Sequence, residues 1–303
     1  MRGRAMATKP DTATAATADE PVFDRYTWHE YPEHLFSFDN IASGIDSSAG
    51  FTDDHVRYYR ETGFLVINDF FAEDETTAAL AGLMDLIDGT NPAASSVLVQ
   101  YEASTRERLG ASSAEERRDM VRKLQNYVDH EPRLRAIADH PNLREAAGRL
   151  LGTPEPELFQ DQALLKPRGI GREKPWHQDH AFFDLPLGTP IIGCWIALDE
   201  ARPENGCMHV KPGTHKEGPV VHFERRDWQI CDEHLDLTRD VMVPLKPGGV
   251  LFFNGLTHHG TPANRTADRR RALQLHFIPA GTSRTSREER MVIFGTEGKD
   301  LTC

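Results

Sequence analysis

Arg269-Arg270-Arg271-Ala272-Leu273-Gln274-Leu275-His276-Phe277 alternates polar and apolar residues, the period of a strand with one buried face. Leu273, Leu275 and Phe277 fall on the apolar side, and Arg270, Ala272, Gln274 and His276 on the other. An arginine on an inner face needs an anion, and its planar fork suits a bidentate carboxylate. A dicarboxylic co-substrate would fit there, with the Thr261 hydroxyl as a further donor. Comparable short runs, separated by Pro and Gly turns, cover 158–166, 191–198, 207–210, 241–245, 249–254 and 271–278. Many short strands of this kind predict a sandwich or barrel for the back of the chain. The front reads differently. A helix over 52–63 opens on Thr52 with Asp53 and Asp54 in its first turn and stops at Gly63, so both of its ends are marked. Phe64-Leu65-Val66-Ile67 predicts a buried strand, and spacings of three and four predict helices over 73–89, 114–128 and 142–151.

Within the β-rich part lies His177-Gln178-Asp179, and far downstream comes Leu256-Thr257-His258-His259-Gly260-Thr261. Residues i and i+2 of a strand share a face, so His177 and Asp179 can converge on one cation, with His259 arriving from a distant strand. Two imidazoles and one carboxylate leave the remaining octahedral positions open, the arrangement of non-haem Fe(II) oxygenases. In a chain with 14 histidines the tripeptide alone is a weak signal, and its context decides. His258 competes for the third ligand place, and the spacing to Gly260-Thr261 and Arg270 favours His259. His180, His209, His215, His222 and His276 read as solvated or hydrogen-bonded groups rather than ligands.

Lys174-Pro175-Trp176-His177-Gln178-Asp179, Gly193-Cys194-Trp195-Ile196-Ala197-Leu198-Asp199, Glu204-Asn205-Gly206-Cys207-Met208, Lys211-Pro212-Gly213-Thr214-His215 and the stretch from His259 to Arg270 occur in this order. Together they resemble the phytanoyl-CoA dioxygenase family of Fe(II)/2-oxoglutarate-dependent oxygenases, over 51–279. The resemblance implies a mainly β fold with flanking helices, a double-stranded β-helix or cupin-like jelly roll. It implies that His177, Asp179 and His259 hold iron, that Arg270 clamps the distal carboxylate of 2-oxoglutarate, and that Thr261 assists where relatives often have serine. Trp195, Gln162 and Lys123, the last in a region read as helical, fall where some relatives line the co-substrate pocket. The implied reaction couples decarboxylation of 2-oxoglutarate by O2, giving succinate and CO2, to hydroxylation of an unactivated C–H bond. Relatives that halogenate carry Gly or Ala at the carboxylate position, so Asp179 points to hydroxylation, with desaturation and cyclisation left open. Three other readings compete: a catalytically silent jelly-roll binding protein, an iron dioxygenase that needs no 2-oxoglutarate, and a zinc hydrolase, which would want a general base that the sequence does not offer.

With 303 residues, 39% of them hydrophobic, the chain is long enough for one large core. The expected organisation is a disordered tail over 1–20, one catalytic domain over 21–281 (helical front about 51–152, jelly-roll core about 158–279) and a polar tail over 282–303. A formal net charge of −12 argues against nucleic acid as the main partner, which usually meets a basic field. The N-terminal Ala/Thr-rich stretch lacks the apolar core of a secretory signal, and whether it targets the chain is left open. No run approaches the roughly 18 apolar residues that cross a bilayer. The four cysteines, 194, 207, 231 and 303, lack metal-ligand spacing, and Cys194 reads as a reduced core thiol. A soluble, cytoplasmic enzyme acting on a small molecule is the expectation. Segment 217–240, with His222, Trp228, Cys231 and His234, reads as an insertion that shapes the substrate pocket. Trp176, Phe182, Phe183 and Trp228 suggest that the substrate is partly apolar.

Overall fold

A computed structural model describes residues 20–27, 30–46, 50–296 and 303. The expected tail over 1–20 lies, apart from Glu20, outside the described residues. In chain order the elements are β1 (Val22–Phe23), α1 (Asp53–Thr62), β2 (Phe64–Ile67), α2 (Glu73–Asp88), β3 (Leu98–Tyr101), α3 (Ala114–Arg118), β4 (Val121–Gln125), α4 (Pro132–Ala138), α5 (Pro141–Leu151) and β5 (Pro156–Lys166). There follow β6 (Lys174–His177), β7 (Ile192–Ala197), β8 (Met208–Val210), β9 (His222–Glu224), β10 (Trp228–Ile230), β11 (Val241–Val243), β12 (Val250–Asn254), β13 (His259–Thr261), β14 (Arg270–Pro279) and α6 (Arg287–Phe294).

The alternation of β14 sets the layers. On one side Leu273, Leu275 and Phe277 are fully buried against β7, β12 and the helical front, with Leu83, Leu134, Ile137, Leu143 and Ala146 among their partners. Burial of each such side chain is worth roughly 1.5–3 kcal/mol. A one-residue slip would exchange these for Arg270, Gln274 and His276, so the register is strongly specified. The eight-stranded sheet runs β1-β3-β4-β5-β14-β7-β12-β2, and a four-stranded sheet runs β11-β8-β13-β6. A second core between them joins Trp195, Leu251, Phe253 and Ala272 to Met208, Val210 and Val243. Two facing sheets, with helices packed on the outside of the larger one, make the double-stranded β-helix expected for this chain.

Gly63 shows how the front half meets the small sheet. It closes α1 at φ 84°, with its N–H on Tyr59 O at 2.7 Å, a left-handed conformation suited to glycine. Its carbonyl accepts from Asn254 N at 2.8 Å and from Thr257 Oγ1 at 2.9 Å, and a Cβ there would meet His215 Nδ1 at 2.4 Å. The helix end is thereby tied to the turn that delivers His258 and His259.

Two expectations need correction, and one covalent contact was not foreseen. The helix expected over 114–128 stops at Arg118, and β4 follows. Val121 and Leu124 suit a helical spacing, but β3 and β5 hydrogen-bond this segment from both sides, and that pairing overrides local preference. The polar tail over 282–303 contains α6, which buries Phe294 beside Ala181 and Trp228. Cys194 and Cys207 are buried thiols, whereas Cys231 and Cys303 form a disulfide with a sequence separation of 72. That pairing arises because the chain's last residue docks beside β10, which no local pattern signals. Among the described residues no helix is long and apolar enough to cross a membrane.

Candidate active site

β6 and β13 are antiparallel neighbours, and His177 and His259 are direct register partners. Their ring centroids lie 4.1 Å apart. β6 ends at His177, and Asp179 opens a short 3-10 turn (Asp179–Phe182) rather than continuing the strand. Gln178 stays extended at φ −111°, ψ 131°, so Asp179 still returns to the face of His177. Asp179 Oδ1 stands 3.4 Å from His177 Nε2 and 3.5 Å from His259 Nε2. One ligand atom from each residue lies within 4.8 Å of the other two, and all three residues are buried.

The chemistry of the donors fits a divalent ion. His177 Nδ1 contacts Pro175 O at 2.8 Å and His259 Nδ1 contacts Thr257 O at 2.9 Å. A carbonyl only accepts, so both rings carry their proton on Nδ1 and direct the Nε2 lone pair at the Asp179 carboxylate. Burial, then the neighbouring His259 and Lys174, push His177 down to about 4, which keeps it in the neutral form a metal requires. His258 takes no part in this cluster. Its N–H donates to Thr214 Oγ1 at 3.0 Å, and its carbonyl accepts from Lys211 N at 2.9 Å.

On β14, the strand whose Gln274 and His276 side chains reach Asp179, stands an arginine that lacks a counter-ion. Arg269 pairs with Asp119 at 2.6 Å and Arg271 with Asp199 at 2.6 Å. Arg270, between them and only 2% exposed, donates to Leu164 O at 3.1 Å and leaves its Nε without a partner. Among the described residues no carboxylate pairs with it. Burial pushes it down only to about 10, so it stays charged near neutral pH. A buried, unpaired cation is costly unless an anion completes it. Its guanidinium lies 5.3 Å from the Trp195 ring.

The other candidates share this face. Gln274 of β14 pairs with Gln162 of β5 on one side and Trp195 of β7 on the other, one cross-strand row. Lys123, expected on a helix, sits on β4 opposite Leu164, which packs in the core between the sheets. It is half-buried and forms no ion pair among the described residues, and burial pushes it down to about 8. Thr261 is buried two residues beyond His259, its hydroxyl without a hydrogen bond among the described residues.

Gln274 escaped the sequence reading as a site residue, and His276, read as hydrogen-bonded rather than as a ligand, has the carboxylate of the cluster as its partner. His276 Nε2 lies 2.7 Å from Asp179 Oδ2, and Gln274 Nε2 donates to the same oxygen at 3.1 Å. The available signal was their place on the Arg270 face of an alternating strand. The insertion is anchored from within the tripeptide. Gln178 N–H donates to His222 Nε2 at 3.0 Å, and its side chain bonds Gly218 O, Leu256 O and Val220 N. Phe182 packs on His177, and Phe159 and Phe183 flank His276, forming an aromatic wall beside the cluster. A cleft of about 720 Å³ shares Phe159 with this wall, but His177, Asp179, His259 and Arg270 do not line it. Trp176 does not join this wall. It points to the outside of the small sheet, stacked on Phe36 with its Nε1 on Leu35 O.

The sequence profile described as phytanoyl-CoA dioxygenase (PhyH) matches residues 59–272. A probable phytanoyl-CoA dioxygenase of Caenorhabditis elegans is 26% identical over 235 residues, 73% of this chain and 73% of that protein. Among solved structures, EvdO2 from Micromonospora carbonacea var. aurantiaca complexed with 2-oxoglutarate is 27% identical, with a TM-score of 0.59 over 78% of this chain and 94% of its own. The epimerase SnoN in complex with Fe3+, alpha ketoglutarate and nogalamycin RO shares the fold at 20% identity, with a TM-score of 0.61 over 77% of this chain and 86% of its own.

Proposed function

Since this chain belongs to the phytanoyl-CoA dioxygenase family and is an Fe(II)- and 2-oxoglutarate-dependent dioxygenase, we propose that it hydroxylates an unactivated C–H bond of a small, partly apolar molecule. In this reading His177, Asp179 and His259 hold the iron. Arg270 and Thr261 receive the distal carboxylate of 2-oxoglutarate, and Trp195, Gln162 and Lys123 line its pocket. The observation that carries the reading is Arg270, a buried guanidinium without an anion on the strand whose Gln274 and His276 reach the carboxylate that stands between two imidazoles. When bound, iron with 2-oxoglutarate and O2 supplies the oxidising power, one oxygen atom going to succinate and the other to the substrate.

The protein's share is placement. Backbone carbonyls hold both imidazole rings by Nδ1, so the Nε2 atoms stay aimed at one point. Arg270 and Trp195 together fit an elongated dianion, the guanidinium at its far end and the indole along its side. Phe159, Phe182 and Phe183 shed water from the flank where a substrate would lie. We read 21–281 as one catalytic domain, supported by the pairing of β2 with β12 and by the hydrogen bonds from Asn254 and Thr257 to the end of α1, next to the turn that delivers His259. We place the enzyme in the cytoplasm. The buried thiols support this, and the Cys231–Cys303 disulfide counts against it.

The test is an anaerobic screen of small molecules against the Fe(II)·2-oxoglutarate charge-transfer band, followed by mass spectrometry. A compound that perturbs the band should yield a product heavier by one oxygen, with stoichiometric succinate; turnover without 2-oxoglutarate would refute the reading. Outcome is tested by Asp179→Gly. That change vacates the carboxylate's place and leaves the Gln274 and His276 N–H groups facing it, a setting suited to chloride. With the substrate so identified, chloride present and Fe(II) supplied in large excess to offset the lost ligand, a chlorinated product is expected from the variant and none from wild type. Chlorination by wild type would overturn hydroxylation.

A further inference from the structure

A carboxylate beside a metal has two oxygens, and whether one or both coordinate decides how many positions remain. In an octahedral shell, two imidazoles, one carboxylate oxygen and a chelating 2-oxo acid leave a single place for O2, and a second carboxylate oxygen would fill it. The side chains of β14 bear on that choice. Asp179 Oδ1 is the oxygen 3.4–3.5 Å from both imidazole Nε2 atoms. Oδ2 is turned away onto His276 Nε2 at 2.7 Å and Gln274 Nε2 at 3.1 Å, and these two nitrogens, converging on one atom, lie 3.0 Å apart. A carboxylate only accepts, so His276 presents Nε2–H, and the two donors use both lone pairs of Oδ2. Neither donor is free to drift. Gln274 is 5% exposed, on a strand paired on both sides, in register with Gln162 and Trp195. The His276 ring, 1% exposed, packs between Phe159 and Phe183 at 5.9 and 5.0 Å.

We propose that Gln274 and His276 are positioning residues that clamp Oδ2 of Asp179, so that only Oδ1 is offered to the metal. This rests on the proposed ligand set and goes beyond it by assigning the groups that fix denticity. Outer partners of a metal ligand typically contribute roughly ten- to hundred-fold to metal affinity, and by controlling denticity these two should also change the ion's spectrum.

The experiment reconstitutes the full-length apoprotein with Co(II) and measures both Kd and the d–d absorption. Gln274→Leu and His276→Leu should each raise the Kd by roughly ten- to hundred-fold and alter the bands. His276→Gln places an amide N–H near the position of the ring Nε2 and should restore both affinity and spectrum. Wild-type affinity and bands in both folded leucine variants would overturn the proposal. So would a His276→Gln protein as impaired as His276→Leu, because the ring's packing rather than its hydrogen bond would then matter. Should His276→Leu fail to fold, Gln274→Leu carries the decision alone. His177→Ala separates this failure from that of the ligand set: if it keeps wild-type Co(II) affinity, the ligand assignment is wrong. If it loses the metal while the leucine variants behave as wild type, only the clamp is wrong.

Discussion

His177→Ala, Asp179→Ala and His259→Ala are each expected to lose Fe(II) at micromolar concentrations and to form no succinate from 2-oxoglutarate. Three protein ligands leave no redundancy in an ion that must keep its other positions for co-substrate and O2. The asymmetry between adjacent histidines makes the test sharp. His259 directs Nε2 at Asp179 from the register position opposite His177, whereas His258 is committed to the neighbouring loop through its backbone. His258→Ala should therefore retain iron and turnover. Loss of iron in His258→Ala with retention in His259→Ala would displace the third ligand by one residue. Anaerobic Fe(II) titration with a colorimetric chelator as competitor measures all four.

Arg270→Ala is expected to weaken 2-oxoglutarate binding from roughly thirty-fold to several thousand-fold. The basis is the cost of removing one partner of a buried, hydrogen-bonded charge pair, on the order of 2–5 kcal/mol, at about 1.4 kcal/mol per decade of Kd. Arg270→Lys should be milder but still impaired, since an ammonium keeps the charge and loses the planar fork. The flanking arginines serve as internal controls. Arg269 and Arg271 are occupied by Asp119 and Asp199, so their alanine variants should bind 2-oxoglutarate normally. Iron binding should survive every one of these changes. Titration of 2-oxoglutarate into anaerobic Fe(II) protein gives the answer, and an unimpaired Arg270→Ala beside an impaired Arg269→Ala or Arg271→Ala would put β14 in the wrong register.

The sequence by itself was enough for whatever depends on neighbours along the chain. The strict alternation of β14 assigned Arg270, Gln274 and His276 to one face and Leu273, Leu275 and Phe277 to the other, because a strand has only two faces and the apolar set is worth several kcal/mol to the one it enters. The caps of α1 were legible in Thr52 and Gly63 because they are local hydrogen-bonding and φ requirements. His177-Gln178-Asp179 was legible because convergence of i and i+2 survives even where the strand ladder gives out after His177.

What depends on partners distant in sequence was decided only by the tertiary structure. β4 is a strand rather than the end of a helix because β3 and β5 hydrogen-bond it on both sides, a demand absent from its own composition. The lone charge among three arginines is settled by which carboxylates reach them, Asp119 and Asp199 from separate segments. Cys231 meets Cys303 because the chain's end docks beside the insertion. Gln274 and His276 meet Asp179 because β14 crosses the larger sheet beneath the turn that follows β6, bringing residues 95 and 97 apart in sequence onto one oxygen. Such pairings are selected by the whole packing of two sheets against a helical layer, and a periodicity of two or of 3.6 gives the face a residue takes but not the partner it meets there.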